Sequence, residues 1–281
     1  MSNWLEIRSS SVSELETLGR DSQIHPLVIE DCIHRNQRAK LEDFDTHQFL
    51  VWFMVAKGRV YELQFIVLPS TLVFVPHEPP PEETIWKDFF KINDSAKDVW
   101  HMLYQALDRA SDVTGNEVKA IGIEINAFES KVFGEKFNPS SVLVLKRGLS
   151  EMEHAIEHLR SVAKQLQNFY QNKDDLTWKW RDLSDHCERA FRNVMYFRSQ
   201  IGSTLDLYWG YQADKTNRQI KKLSILASVA VPLTFWASFW GMNFEIIPFS
   251  NTSLFYGAIG IMIASAVFAL WFLVRRGYWD D

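Results

Sequence analysis

The last sixty residues hold two long stretches without a single charge, and no other feature restricts the fold as strongly. Leu223–Trp240 reads LSILASVAVPLTFWASFW, eighteen residues, and Ser253–Val274 reads SLFYGAIGIMIASAVFALWFLV, twenty-two. A helix needs about 20 apolar residues to cross the hydrocarbon core of a bilayer. Only a dozen residues separate the two runs, so they read as a helical hairpin through a membrane rather than as buried core helices. Lys215, Arg218, Lys221 and Lys222 precede the first run, and Arg275 and Arg276 follow the second. The loop between them, GMNFEIIPFSNT, has no basic residue. Lys and Arg accumulate on the cytoplasmic side of a membrane. Both termini are therefore expected in the cytoplasm and the short loop outside, in a multi-pass protein of the cell inner membrane. The opening MSNWLEIRSS lacks a basic start followed by an apolar stretch, so no signal peptide is expected.

The rest of the composition narrows the function. At 47% hydrophobic and 23% charged residues, the 281-residue chain is neither disordered nor fibrous. A net charge of −5 is not the footprint of a nucleic-acid binder. Two cysteines, Cys32 and Cys187, cannot build a disulfide framework or a four-thiolate zinc site, and they fit a reducing compartment.

Ahead of the hairpin the chain changes period. Short β-rich runs occur at Trp4–Ile7, Gln48–Ala56, Val60–Leu68 and Thr71–Val75, with Lys57-Gly58-Arg59 as a hairpin turn. Helices are expected at Ser11–Gly19, where Ser11 and Glu14 have the capping-box spacing, and at Pro26–Ile33. The run HEPPPEE, His77–Glu83, marks a boundary. Beyond about Asp98 the pattern is helical. Leu145, Leu149, Met152, Ile156, Leu159, Val162, Leu166 and Phe169 are spaced by three or four. So are Leu183, Cys187, Ala190, Val194, Phe197, Ile201, Leu205 and Tyr208. Asn138-Pro139 and Asn172–Asp175 separate three helices. The third, interrupted only by Gly202 and Gly210 before Pro232, is expected to run unbroken into the membrane, about 100 Å in all. A small α/β unit offers too little surface to cover such a seam, so self-association around an axis is expected. The fold class that follows is an α+β membrane protein: residues 1–78 a small α/β cytosolic unit, 79–222 a helical coiled-coil stalk or funnel, and 223–281 two C-terminal transmembrane helices with an external loop.

At the outer end of the first span stands Gly241-Met242-Asn243, in the context VPLTFWASFWGMNFEIIP. With the upstream DKTNRQIKKL, Asp214–Leu223, and the N-terminal HPLVIEDCIHRNQRAKLEDF, His25–Phe44, this resembles the CorA family of magnesium channels over most of the chain. The resemblance implies a homopentamer whose partners are further copies of itself, the lipid bilayer and divalent cations. It also implies a funnel-shaped cytosolic domain and a first span that lines the pore. Mg²⁺ dehydrates reluctantly, so a filter that binds the hydrated ion through neutral oxygens is the cheaper design. Five Asn243 amides, neighbouring carbonyls and five converging helix C-termini would supply it. Gly241 permits close backbone approach, and Met242 shapes the turn.

One helix face runs Thr234, Val231, Ala227, Leu223, Ile220, Asn217 in steps of three or four, and the family's pore-lining positions fall on these places. Thr234 and Asn217 would touch the ion's water shell, while Ile220, Leu223 and Val231 would form apolar rings that gate by dewetting. The plain alternative for the apolar members is packing around a dry axis. Two positions depart from the family pattern. Trp240 replaces the usual tyrosine, and the carboxylate that often follows Met-Pro is missing from Ile247-Pro248-Phe249, which leaves Glu245 as the only acid in the loop. A ring of Glu245 would concentrate cations at the mouth. The resemblance also implies internal regulation by Mg²⁺, so that Mg²⁺ is both cargo and regulatory ion. Glu30 and Asp31 match one side of a subunit interface, Asp182 the other, and Asp206 a lower position on the stalk. The bland reading of these acids is solvated helix faces.

Other functions leave weaker traces. His154-x-x-Glu157-His158 has the spacing of a zinc protease motif, yet it lies within the helical seam and no third ligand is identifiable. An enzyme is not expected. No glycine-rich nucleotide loop is present. A purely structural scaffold would have little use for a polar stripe in a span. The competing transporter reading is a Zn²⁺, Co²⁺ or Ni²⁺ carrier of the same architecture, with or without proton coupling, as in ZntB-like proteins. Met242 favours the magnesium branch.

Overall fold

Eight successive apolar residues, Phe49–Ala56, cannot be accommodated by a strand with one wet face; such a run belongs in a sheet covered on both sides. The computed structural model, which describes residues 3–7, 11–34, 37–78, 96–132, 137–169, 177–242 and 252–276, places it there. Five strands, β1 Asn3–Glu6, β2 Lys40–Asp43, β3 Gln48–Ala56, β4 Arg59–Val67 and β5 Thr71–Pro76, form one sheet in the order β1-β5-β4-β3-β2. β1 pairs with β5 in parallel, and the other pairs are antiparallel. Alternate residues of β3 divide between two cores. Phe49 and Val51 pack with Leu15, Val28, Ile29 and Cys32 from α1 (Val12–Asp21) and α2 (Pro26–Ile33). Leu50, Trp52 and Met54 pack against three long helices on the other face.

Those helices are α3 Val99–Glu129, α4 Pro139–Phe169 and α5 Thr177–Gly241. Asp98 caps α3, its Oδ1 accepting the His101 N–H at 2.9 Å. Pro139 opens α4, as its fixed φ allows at a first helical position, and Asn138 Oδ1 accepts the Ser140 N–H at 3.0 Å. The β3–β4 turn has two residues, Lys57 and Gly58, both at positive φ, 49° and 71°, because Ala56 already pairs with Arg59. That is the hairpin turn whose twist matches its strands. The Gly58 N–H donates to Glu117 Oε1 at 2.7 Å and the Val55 N–H to Thr114 Oγ1 at 3.0 Å, which fastens the sheet to α3.

Several expectations change. β2 was not foreseen. Ser11 makes no side-chain cap, so the capping box does not form. Parts of His77–Glu83 and all of Asn172–Asp175 lie outside the described residues. The seam is buried within one chain. Leu149, Met152 and Ile156 of α4 meet Val194, Ile201 and Leu205 of α5 and Val118, Ile121 and Ile125 of α3. Three helices from one chain suffice because α3 supplies a third apolar face that the reading of the seam left out. Phe169 stays exposed and Tyr208 is half-covered. Only beyond Leu205 does α5 lack cover over most of its surface.

The chain divides into two units, Met1–Leu205 and Asp206–Asp281. The second holds the end of α5 and α6 (Thr252–Arg275), and both helices are long and apolar enough to cross a membrane. α5 is continuous for 65 residues with Pro232 inside it.

Candidate functional site

In the second unit the cover on α5 is one-sided. Ser224, Ile225, Ser228, Val229, Pro232, Leu233, Trp236 and Trp240 are half-covered. Asn217, Ile220, Leu223, Ala227, Val231 and Thr234 are all exposed. At 3.6 residues per turn the six fall within an arc of roughly 120°, centred roughly 145° from the covered stripe. α6 shows the same asymmetry, with Ala258, Met262, Ser265, Ala266, Ala269 and Leu273 its least exposed positions. By register Ser238 and Gly241 extend the open arc toward the loop, and both are exposed. Ser238 was missed in the sequence because it stands among aromatic residues, although it lies four residues beyond Thr234.

The chemistry of this arc is neutral. Thr234 Oγ1 donates to the Ala230 carbonyl at 2.8 Å, which leaves the hydroxyl oxygen as an acceptor. Water bound to a cation directs its hydrogens outward, so acceptors are what a hydrated ion needs. Thr216 is back-bonded in the same way, to Gln212 O at 2.9 Å. Met242 closes the helix, its N–H bonded to Phe239 O at 3.3 Å. Asn243 and Glu245 lie outside the described residues.

A second group of polar residues lies in the first unit. Donor atoms of Asp108 on α3 and of Asp182 and His186 on α5 are all within 4.8 Å of one another. His186 Nε2 is 3.6 Å from Asp182 Oδ1, and its Nδ1 is 3.8 Å from Asp112 Oδ1. Burial raises the Asp108 carboxyl above its ordinary value and the charge of Asp112 raises it further; His186 pulls the other way and Asp182 adds to the rise. The Tyr104 hydroxyl is pushed up to about 12 by burial and then by Asp108, Asp182 and Asp112. Burial is the larger cause of both shifts, and the neighbouring carboxylates add to it. Two carboxylates suit Mg²⁺, which binds through one or two of them and keeps waters, while an imidazole suits Co²⁺, Ni²⁺ or Zn²⁺ as well. Asp108 and His186 were absent from the sequence reading. Their only trace there is the four-residue spacing of Asp182 and His186 and of Asp108 and Asp112.

The other expected acids stand apart from this cluster. Glu30 is exposed on the last turn of α2. Asp31 has both oxygens occupied, Oδ2 by Lys40 Nζ at 2.7 Å and Oδ1 by Gln37 Nε2 at 2.9 Å. Asp206 is exposed in the second unit. His154 and Glu157 are exposed on α4, and among the described residues no metal-binding group includes them. Burial pushes the Cys32 and Cys187 thiols up to about 12, so neither is poised as a nucleophile.

Comparison with known proteins adds to this geometry. A family model described as CorA-like Mg²⁺ transporter protein matches residues 2–276. The cobalt/magnesium transport protein CorA of Thermotoga maritima is 30% identical over 264 residues, 87% of this chain and 74% of that protein. The magnesium transport protein CorA of Mannheimia succiniciproducens is 25% identical over 98% of this chain and 85% of that one. The complete structure of the CorA magnesium transporter from Methanocaldococcus jannaschii matches with a TM-score of 0.83 at 15% identity, covering 98% of this chain and 90% of that chain. The ZntB cytoplasmic domain from Vibrio parahaemolyticus matches at 0.66 with 10% identity, over 76% and 89%. At these identities the structural likenesses bear on fold alone.

Proposed function

The chain belongs to the CorA-like Mg²⁺ transporter family, and from that membership we propose that it forms a homopentameric inner-membrane channel for Mg²⁺ influx with both termini in the cytoplasm. Residues 223–281 are the conducting part, with residues 1–78 and 79–222 as its cytosolic sheet unit and funnel. Five copies of α5 turn their open arc toward a common axis. The observation that carries this reading is the arc itself, a stripe of exposed side chains without a charge from Ile220 to Thr234 except where the cytosolic lysines flank it. Thr234 and Asn217 offer oxygen to the water shell, and Ile220, Leu223 and Val231 form the apolar gate. Gly241, Met242 and Asn243 form the filter, and Glu245 gathers cations in front of it.

Internal Mg²⁺ closes the pore by bridging subunits. Glu30 and Asp31 of one copy face Asp182 of the next, Asp206 acts lower on the stalk, and Asp108 and His186 complete the Asp182 side. The convergence of the Asp108, Asp182 and His186 donor atoms supports a cation there. A second reading, a carrier of Zn²⁺, Co²⁺ or Ni²⁺ coupled to protons, draws its support from the nitrogen ligand of His186.

Uptake into liposomes separates the two. Reconstituted full-length protein is assayed with Mg²⁺, Zn²⁺ and Co²⁺, with and without a pH gradient, beside an Asn243→Ala control, and its mass is read in detergent. Mg²⁺ flux that is indifferent to the pH gradient and lost in the control supports the channel. Flux that survives in the control, or a monomeric protein, refutes it.

A further inference from the structure

Asp31 sits in the last turn of α2, where the negative end of the helix dipole makes a carboxylate unfavourable. Its own chain compensates. Lys40, at the start of β2, reaches Asp31 Oδ2 at 2.7 Å and at the same time Glu42 Oε1 at 2.9 Å. The ammonium also lies over the Phe49 ring, 5.3 Å from its centroid. Gln37 takes the remaining Asp31 oxygen at 2.9 Å. The Lys40 and Asp31 side chains are about three-quarters covered, whereas Glu42 is more open, at 41% exposure. The Lys40 ammonium is held above its ordinary pKa: burial works against it, and the hydrogen bonds to Asp31 and Glu42 outweigh that.

One ammonium shared by two carboxylates has two stable partners. A divalent ion that took Asp31 would have to displace Lys40, and Glu42 is already within bonding distance to keep it. Resting on the internal-sensing reading above, we propose that Lys40 is a built-in competitor for the regulatory cation, occupying Asp31 when internal Mg²⁺ is low and retreating to Glu42 when Mg²⁺ binds. The threshold of sensing is then set by how the two carboxylates divide one lysine.

Two substitutions move that division in opposite directions. Lys40→Met leaves Asp31 without its competitor, and Glu42→Gln removes the alternative partner and ties Lys40 to Asp31. Full-length oligomer is titrated with Mg²⁺, and the concentration for half-maximal protection from limited proteolysis is read, with Lys40→Arg as the charge-preserving control. Lys40→Met is expected to lower the midpoint by about tenfold, as expected for removing a unit charge within about 5 Å of a divalent ion even with water-like screening. Glu42→Gln is expected to raise it, and Lys40→Arg to leave it near the parent value. If Lys40 merely holds the fold together, both Lys40→Met and Glu42→Gln weaken the protein alike, and midpoints that move together or stay fixed overturn the proposal. If the parent protein gains no protection from Mg²⁺, internal sensing fails and the proposal falls with it.

Discussion

Replacing Asp182 by Asn tests whether the Asp108–Asp182–His186 cluster holds a cation. The substitution keeps the shape of the side chain and removes one negative charge. Carboxylate oxygens no more than 4.8 Å apart repel by about 3 kcal/mol at an effective dielectric of 20. Asp182 is half exposed, so solvent reduces this to on the order of 1–2 kcal/mol. Without divalent ions Asp182→Asn should therefore be more stable than the parent, melting about 2–8 °C higher at the usual slope for a domain of this size. With Mg²⁺ that advantage shrinks or vanishes. At about ten times its Kd a ligand adds ~1.4 kcal/mol, and the parent gains this while the variant does not. Thermal unfolding of the full-length protein in chelator and in excess Mg²⁺ measures both. A variant that melts below the parent in chelator, or that gains as much from Mg²⁺, would refute the reasoning. The pH dependence supplies a further check. Asp108 has its folded pKa raised by burial first and by Asp112 and Asp182 next. The metal-free native state therefore holds its proton more tightly than the unfolded chain does. Stability from this group is fully present below the unfolded value and is lost as pH rises through the folded one. Mg²⁺ competes with that proton, so its stabilising effect should fade as pH drops into the same window.

Three other outcomes are expected. Thr234→Val keeps the side-chain shape but removes the acceptor oxygen, so Mg²⁺ flux into liposomes should fall several-fold with no change in melting temperature; unchanged flux would exclude Thr234 from the ion path. Gly122→Ala would place a Cβ 2.2 Å from Phe197 Cζ and should cost about 1–3 kcal/mol, whereas Gly115→Ala meets nothing within 4 Å and should stabilise α3 by about 0.5–1 kcal/mol, both read by urea unfolding. Asp98→Ala removes the cap of α3 and should cost about 1 kcal/mol at neutral pH. Burial alone would raise the Asp98 carboxyl, but its bonds to His101 hold it below the ordinary value, so the parent's advantage should disappear on acidification through that lowered value.

The membrane hairpin, four of the five strands and the continuous third helix were legible in the sequence because each rests on a run or period that one stretch of chain declares by itself. What stayed hidden depends on partners distant in sequence. β2 is Lys-Leu-Glu-Asp, four residues with three charges, and only its pairing with Gln48–Val51 makes it a strand. Asp108 joins Asp182 and His186 through the packing of α3 on α5, which no local pattern encodes. The seams of α4 and α5 were visible, but whether they close within one chain or between chains depended on the third face supplied by Val118, Ile121 and Ile125. Asp31 was matched to one side of a subunit interface, and its engagement by Lys40, nine residues on, appears only in the folded chain.

α5 carries no break between the seam that ends at Leu205 and the glycine that ends the helix at 241. Those 36 residues amount to a rod of about 54 Å. A pivot of about 5° at the Leu205 end would swing its far tip sideways by roughly 5 Å, more than the width of a water molecule. A helix of this length would turn a small tilt at its base into a displacement of several ångströms at its tip.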